Sequence, residues 1–164
     1  MMIKFQNVSF KYEDFKIDDI SFEIGKGEIV AITGNNASGK TTLIKLMSGL
    51  LKNKKGEILI NNEPIKKHKT KIGIIFQNPD NQIIFNNVYD DICFTLKNHN
   101  IDKSEFDERI DYALKMVDML EFKHKETYTM STGQKQRIAI ANMLAIKPDI
   151  LIFDEASVYL DPTT

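Results

Sequence analysis

The sequence predicts an α/β fold: a core built on a phosphate-binding loop, an antiparallel β part at the N-terminus, and a helical subdomain inserted into the core. Three observations carry this. The stretch Gly34-Asn35-Asn36-Ala37-Ser38-Gly39-Lys40-Thr41 follows a short apolar run and opens a segment of helical spacing. Apolar and polar residues alternate near the N-terminus, the period of half-buried strands. A long helical stretch, residues 88–146, separates two further apolar runs.

Taken in order, residues 3–10 and 17–24 alternate and read as strands, with Gly25-Lys26-Gly27 as the turn that follows. Ile29-Val30-Ala31-Ile32 is continuously apolar, the signature of a strand buried on both faces. Residues 40–51 carry Leu43, Leu46, Met47 and Leu50 at helical spacing, and the polar run 52–56 ends that helix. Residues 57–65 read as a hairpin turning on Asn61-Asn62, and 72–76 as another buried strand. From Val88 to Leu120 the pattern is helical and acidic, and Ser104 with Asp107 marks the start of the second helix. Residues 132–146 form a further helix ended before Pro148, and Ile150-Leu151-Ile152-Phe153 returns to buried strand. The expected division is a core of about residues 1–81 and 148–164, with a helical subdomain of about 82–147 between them.

Composition narrows the function. The chain has 164 residues, 42% of them hydrophobic and 27% charged, which excludes disordered, collagen-like and disulfide-scaffold classes. Lys plus Arg is 22 and Asp plus Glu 23, a formal net charge of -1, so bulk charge calls for no nucleic-acid or anionic-membrane partner. One cysteine, Cys93, forms no internal disulfide and fits a reducing compartment. No apolar run reaches the roughly 18 residues of a membrane helix, and the start lacks a signal-peptide core. The expectation is a cytoplasmic chain whose membrane role, if any, goes through a partner. The lysine clusters at 52–55 and 66–71 read as solvated faces.

The glycine-bounded loop fits G-x-x-x-x-G-K-[ST]. Glycines let backbone N–H groups of Asn35, Asn36, Ala37 and Ser38 curl around a phosphate, and the helix that opens at Lys40 aims its positive end at the same anion. Lys40 then reaches the β- and γ-phosphates of a nucleotide, and the Thr41 hydroxyl, with Thr42 beside it, faces Mg²⁺. The bland alternative is a glycine turn before a helix. The run 150–153 ends in Asp154-Glu155. At the carboxyl end of a parallel strand, Asp154 is placed to hold Mg²⁺ through water and Glu155 to polarise the attacking water as general base. The alternative is a pair of acids favoured at a helix N-terminus.

With these motifs in order, the sequence resembles the nucleotide-binding subunits of ABC transporters over essentially the whole chain. Met130-Ser131-Thr132-Gly133-Gln134 looks like the family's LSGGQ signature, with Met130 for Leu and Thr132 for the first Gly. Ser131, Gly133 and Gln134 are retained and, as a helix N-terminus, suit the γ-phosphate of ATP bound by an opposite subunit; a plain helix cap is the other reading. The resemblance implies a head-to-tail homo- or heterodimer closing on two Mg-ATP molecules. Gln77 resembles the Q-loop glutamine, a Mg²⁺ ligand that senses the transport partner. Tyr12 resembles the aromatic that stacks on adenine, although a strand-end core residue is the plainer reading. Leu160-Asp161 resembles the end of the D-loop, with Val158 and Tyr159 replacing small residues. Ala37 stands where the family has Gly, and tolerance is expected there.

Phe76-Gln77-Asn78-Pro79-Asp80-Asn81-Gln82 is similar to the energy-coupling-factor type of importer ATPase, which drives uptake of vitamins or of cobalt and nickel ions. That likeness implies an integral membrane transport subunit docked near Ile83, Ile84 and Phe85, and a peripheral place on the inner face of the membrane. The same three residues would equally serve local packing. The resemblance also implies elements beyond Thr164, including a strand leading to a switch histidine. His68, His99 and His124 all precede Asp154, so none fills that role and the chain reads as C-terminally truncated. Two rivals share every motif: a soluble, non-transport ABC ATPase acting on nucleic acid or ribosomes, and an inactive fragment.

Overall fold

The computed structural model describes residues 3–12, 15–68 and 72–155. The chain forms two compact units, Met1–Lys69 and Thr70–Thr164.

In the first unit, β1 (Ile3–Tyr12), β2 (Phe15–Ile24), β3 (Lys55–Ile60) and β4 (Glu63–Pro64) make an antiparallel sheet in the order β2-β1-β3-β4. β1 buries Ile3 and Phe5, then Val8 and Phe10. The change from odd to even positions is a bulge: the register slips between Phe5 and Val8, where Asn7 takes a φ of 48°. One extra residue turns the following side chains back to the core face. The Asn7 Nδ2 group donates to Asp19 Oδ1 at 2.8 Å and holds the bulge in place. The bulged backbone crowds β3, because a Cβ on Gly56 would lie 2.3 Å from the carbonyl oxygens of Gln6 and Asn7. The β3–β4 turn has both Asn61 and Asn62 left-handed, at φ 50° and 63°, as a two-residue hairpin with the native twist requires.

Helix α1 (Lys40–Met47) opens at the glycine loop. It stops four residues earlier than the spacing predicts. Gly49, at φ 70°, turns the chain and donates to Leu46 O at 3.1 Å, a glycine termination placed before the polar run. The larger departure is the run 29–32. It forms no strand, and Ile29 is fully exposed (102%) while Ile44 and Leu46 nearby in sequence are buried. A strand exists only through the ladder it shares, and among the described residues none pairs with this run.

In the second unit, β5 (Ile72–Ile75) and β6 (Ile150–Phe153) pair in parallel, Ile72 with Ile150 through Ile75 with Phe153. Between them lie α2 (Val88–Asn98), α3 (Phe106–Met116) and α4 (Thr132–Ala145). Val88, Ile92 and Leu96, then Ile110, Ala113 and Leu114, then Ile138, Ala141 and Ala145 recur at three- and four-residue steps and close one apolar core with Met119 and Met130. Asn87 caps α2 by accepting from the N–H groups of Tyr89 and Asp90. The start of the second helix is set by Asp102 rather than Ser104. The Asp102 carboxylate accepts from Ser104 N at 2.8 Å and opens a short turn that leads into α3. Both hydrogen bonds from Ser104 hold the Asp102 carboxyl below the usual range. Arg109 pairs with Glu105 at 2.8 Å and donates to Ala145 O at 3.3 Å, covering a carbonyl at the end of α4. Lys147, at φ 50°, then breaks α4 ahead of Pro148. β6 is less buried than its composition predicts: Ile150 and Leu151 are half-covered and Phe153 is 49% exposed, because β5 is its sole strand neighbour among the described residues.

Candidate functional site

The first unit carries the loop 34–41. Gly34, Ala37 and Gly39 have φ values of 155°, 62° and 98°. Positive φ at these three positions curls the backbone, the local shape that anion-binding nests use. Lys40 Nζ folds back over the loop and donates to Gly34 O and Asn35 O, each at 3.1 Å. Ser38 N closes on Asn35 O at 3.2 Å, and Leu43 N on Gly39 O at 2.9 Å begins the helix. The first turn of α1 contains no acid, so nothing on the helix opposes a phosphate there. Two side chains narrow the glycine choice. A Cβ on Gly34 would meet Ser38 Oγ at 2.9 Å, and one on Gly39 would meet the Phe15 ring at 2.3 Å. Loop geometry and helix charge thus fit the phosphates of a nucleotide.

Tyr12 stands 65% exposed at the end of β1, which removes the reading of it as a core residue. Its register partner is Phe15, the residue whose ring covers Gly39. Partners in a ladder project from the same face. The Tyr12 ring, stacked on Phe10 at 6.5 Å between centroids, thus lies on the same face as the Phe15 ring that covers Gly39. Phe15 was not legible from the sequence, where an isolated aromatic at a strand start has no special pattern.

The second unit brings together residues 78 positions apart. The parallel register ends with Asp154 N donating to Ile75 O at 2.9 Å, so the chain segments leaving β5 and β6 run side by side. Gln77 Nε2 then donates to Glu155 Oε2 at 3.3 Å. Asp154 is buried, and Glu155, exposed, takes a left-handed φ of 53°. Strain of that kind in a non-glycine residue costs about 1–3 kcal/mol and clusters at functional sites. The acids follow directly on a strand, and the segment after Glu155 lies outside the described residues.

Ser131 is the N-cap of α4, in a reciprocal capping box: Gln134 N donates to Ser131 Oγ at 3.2 Å and Ser131 N to Gln134 Oε1 at 3.0 Å. The cap reading is therefore realised. It leaves the first-turn N–H groups at Thr132 and Gly133 without partners inside the helix, the donors an anion uses. Met130 is buried and anchors the turn. Leu160-Asp161, with Val158 and Tyr159, lies outside the described residues.

Of the three residues after the glutamine segment, Ile83 packs on the helical core, whereas Ile84 and Phe85 are exposed, at 67% and 39%. Their backbone is held from within. Asp91, 2% exposed, accepts from Ile84 N at 2.8 Å and Phe85 N at 2.9 Å, and its other oxygen accepts from Asn142 of α4. Thr127 Oγ1 donates to Phe85 O at 2.9 Å. Sequence reasoning passed over Asp91 and Asn142, two polar residues at core positions of helical stripes. That mismatch was the available signal.

Among the described residues no group of three or more His, Cys, Asp or Glu side chains gathers to hold a metal, and no helix is long and apolar enough to cross a membrane.

Comparison with known proteins identifies the family and the fold. Residues 17–158 match the family described as ABC transporter. The chain belongs to the ABC transporter family. It is 47% identical to the energy-coupling factor transporter ATP-binding protein EcfA1 of Staphylococcus aureus (strain N315), over 98% of this chain and 63% of that protein. The chain thus spans less than two thirds of the curated relatives it matches. Among solved structures it resembles CbiO1 of Clostridium perfringens, described as part of the ABC transporter complex cbiONQ, with TM-score 0.85, 38% identity, and coverage of 98% of this chain and 68% of that one. A bacterial Atm1-family ABC exporter with ATP bound matches with TM-score 0.83 and 28% identity, over 99% of this chain and 30% of the exporter. The α/β P-loop NTPase fold with an antiparallel N-terminal part is therefore the fold of this ABC family member.

Proposed function

We propose that this chain is the ATP-binding part of an ABC importer subunit of energy-coupling-factor type, which binds Mg-ATP and hydrolyses it to drive uptake of a vitamin or metal ion through an integral membrane partner. The observation that carries the reading is the loop 34–41, with its three positive φ values and Lys40 folded over it. The likeness to EcfA1 supports the transport assignment.

Bound Mg-ATP would supply the γ-phosphoryl group and the metal charge that neutralises it. Magnesium keeps few protein ligands and takes phosphate oxygens and water for the rest, so such a site needs no preformed acidic cluster. Lys40 exchanges two carbonyl contacts for the β- and γ-phosphates. The N–H groups of Asn35 through Thr42 cradle them, and Tyr12 offers its face to the adenine. Thr41 on the first unit, and Gln77 and Asp154 on the second, each carry the kind of oxygen donor that magnesium would take. Glu155, with Gln77 on its carboxylate, orients and deprotonates the attacking water. Ser131, Gly133 and Gln134 serve the γ-phosphate of a second subunit, in a homo- or heterodimer at the inner membrane face. Ile84 and Phe85, held out by Asp91, form the contact for the membrane partner. The division at about residues 82 and 147 separates the helical part that carries this contact from the core.

Calorimetry with Mg-ATP tests the nucleotide reading. Lys40→Ala is expected to weaken binding roughly 100-fold, since charge-assisted bonds to phosphate contribute about 1.5–3 kcal/mol each. Unchanged affinity would refute the loop assignment. Glu155→Gln is expected to bind ATP and not turn it over. Co-purification with an integral membrane protein supports the transporter, whereas co-sedimentation with ribosomes supports a soluble ABC ATPase instead.

A further inference from the structure

The β5–β6 ladder ends at Ile75 and Phe153, so the peptide groups of Phe76 must find partners elsewhere. They find two glutamines. Phe76 N donates to Gln82 Oε1 at 3.2 Å, while Gln82 Nε2 donates to Ile74 O at 2.9 Å. One side-chain amide thereby bridges the C=O and N–H of alternate residues, as a neighbouring strand would. On the other side, Gln136 Nε2 of α4 donates to Phe76 O at 3.4 Å. Gln136 is fully buried, and its Oε1 has no hydrogen-bond partner among the described residues. Leaving a buried acceptor unmatched is costly. The amide nevertheless faces the Phe76 carbonyl, which can only accept. A third tie, Lys135 Nζ to Asp80 Oδ1 at 2.7 Å, joins the same helix to the turn after Gln77.

We infer that Gln82 and Gln136 are positioning residues for Gln77: by fixing both polar groups of the Phe76 peptide, they hold the next residue where its amide meets Glu155. The inference rests on the reading of Gln77 and Glu155 as nucleotide-site residues. Gln82 is half-buried and Gln136 lies on the core face of α4, so methionine, unbranched and of similar length, fills either site without an amide.

The test uses the full chain and four variants: Gln77→Ala, Gln82→Met, Gln136→Met and the double Gln77→Ala/Gln82→Met. The affinity for ATP is measured by calorimetry with Mg²⁺ and with EDTA, and the ratio is the readout. Gln77→Ala is expected to lower the ratio about tenfold, and each methionine variant about three- to tenfold, the range of one lost hydrogen bond, with EDTA affinity unchanged. The double variant is expected to match Gln77→Ala alone, because the clamp acts through Gln77. Amide exchange without nucleotide gives a second readout, in which Phe76 N–H exchanges about tenfold faster in Gln82→Met. Equal losses with and without Mg²⁺, additive losses in the double variant, or an unchanged Phe76 amide each overturn the inference in favour of a structural role. A ratio unmoved by Gln77→Ala overturns the underlying reading and this proposal with it. A ratio lowered in Gln77→Ala but in neither methionine variant overturns this proposal alone.

Discussion

Ile29-Val30-Ala31-Ile32 and Ile150-Leu151-Ile152-Phe153 are the same kind of sequence, four apolar residues leading into a polar segment, yet they have opposite fates. The second pairs with β5 along its length. The first pairs with nothing among the described residues and leaves Ile29 wholly in solvent. Apolar character supplies the drive to bury a strand, but the ladder requires a second strand at the right place. β5 and β6 bring each other that partner across a helical insertion. The run before the glycine-bounded loop has none among the described residues.

The sharpest way to break this comparison is to truncate matched isoleucines. Ile152→Ala opens a cavity behind the paired β6 strand and is expected to cost about 2–5 kcal/mol in urea unfolding. Ile29→Ala removes a side chain that touches solvent and is expected to stay within about 0.5 kcal/mol. Similar costs at the two positions would show that the 29–32 run is buried in solution.

This contrast also marks what was legible in the sequence. Elements whose partners are local or periodic were readable: β1 and β2 by alternation, α2 to α4 by their apolar stripes, and the Asn61-Asn62 turn by its residue types. The turn at 34–41 was readable from its glycine-bounded pattern, and it takes positive φ at Gly34, Ala37 and Gly39. Bounds set by a single dihedral were not: Gly49 ended α1 early, and Asn7 shifted the β1 alternation by one residue. Nor were polar contacts that depend on packing. Nothing in the pattern of Phe15, Gln82, Asp91 or Gln136 announces which backbone group each will meet.

A smaller loss, confined to the second unit, follows from Asp91. Its carboxylate satisfies two loop N–H groups and the Asn142 amide in the core. Asp91→Ala leaves those donors unmatched and is expected to cost about 2–4 kcal/mol. The signature of this origin is faster exchange of the Ile84 and Phe85 amides than of the amides of α2. Uniform acceleration would assign the effect to general unfolding.

The helical unit should also lose stability at high pH. Burial, and then the hydrogen bond with Cys93, pushes Tyr89 up to about 12 from 10.0. Lys123 is pushed above 10.5, mainly by Asp111 at 2.8 Å. In both cases the unfolded chain releases its proton first, so stability is intact below about pH 10 and falls as pH rises toward about 12. Tyrosinate absorbance during alkaline unfolding checks this. The combined Tyr89→Phe and Lys123→Met variant is expected to lose the decline in the helical unit, and an undiminished decline would assign it to other groups.

The smallest expected effect lies in the loop itself. Ala37 holds a left-handed φ of 62°, a conformation that costs a residue with a Cβ about 1–2 kcal/mol. Ala37→Gly removes that strain but gives the unfolded chain more freedom, worth about 0.4–1 kcal/mol in the opposite direction. The balance is a gain of roughly 0.5 kcal/mol with ATP affinity unchanged. Ala37→Val moves the other way, because a β-branched residue is a strong outlier at positive φ. Its loss should exceed the glycine gain and appear in nucleotide affinity as well, since the Ala37 N–H belongs to the nest. The pair of substitutions thus separates tolerance from indifference. Opposite signs in thermal melts show that alanine is accommodated at a cost, while two neutral results would mean that the loop relaxes its backbone and that the left-handed turn at Ala37 is not what shapes the anion site.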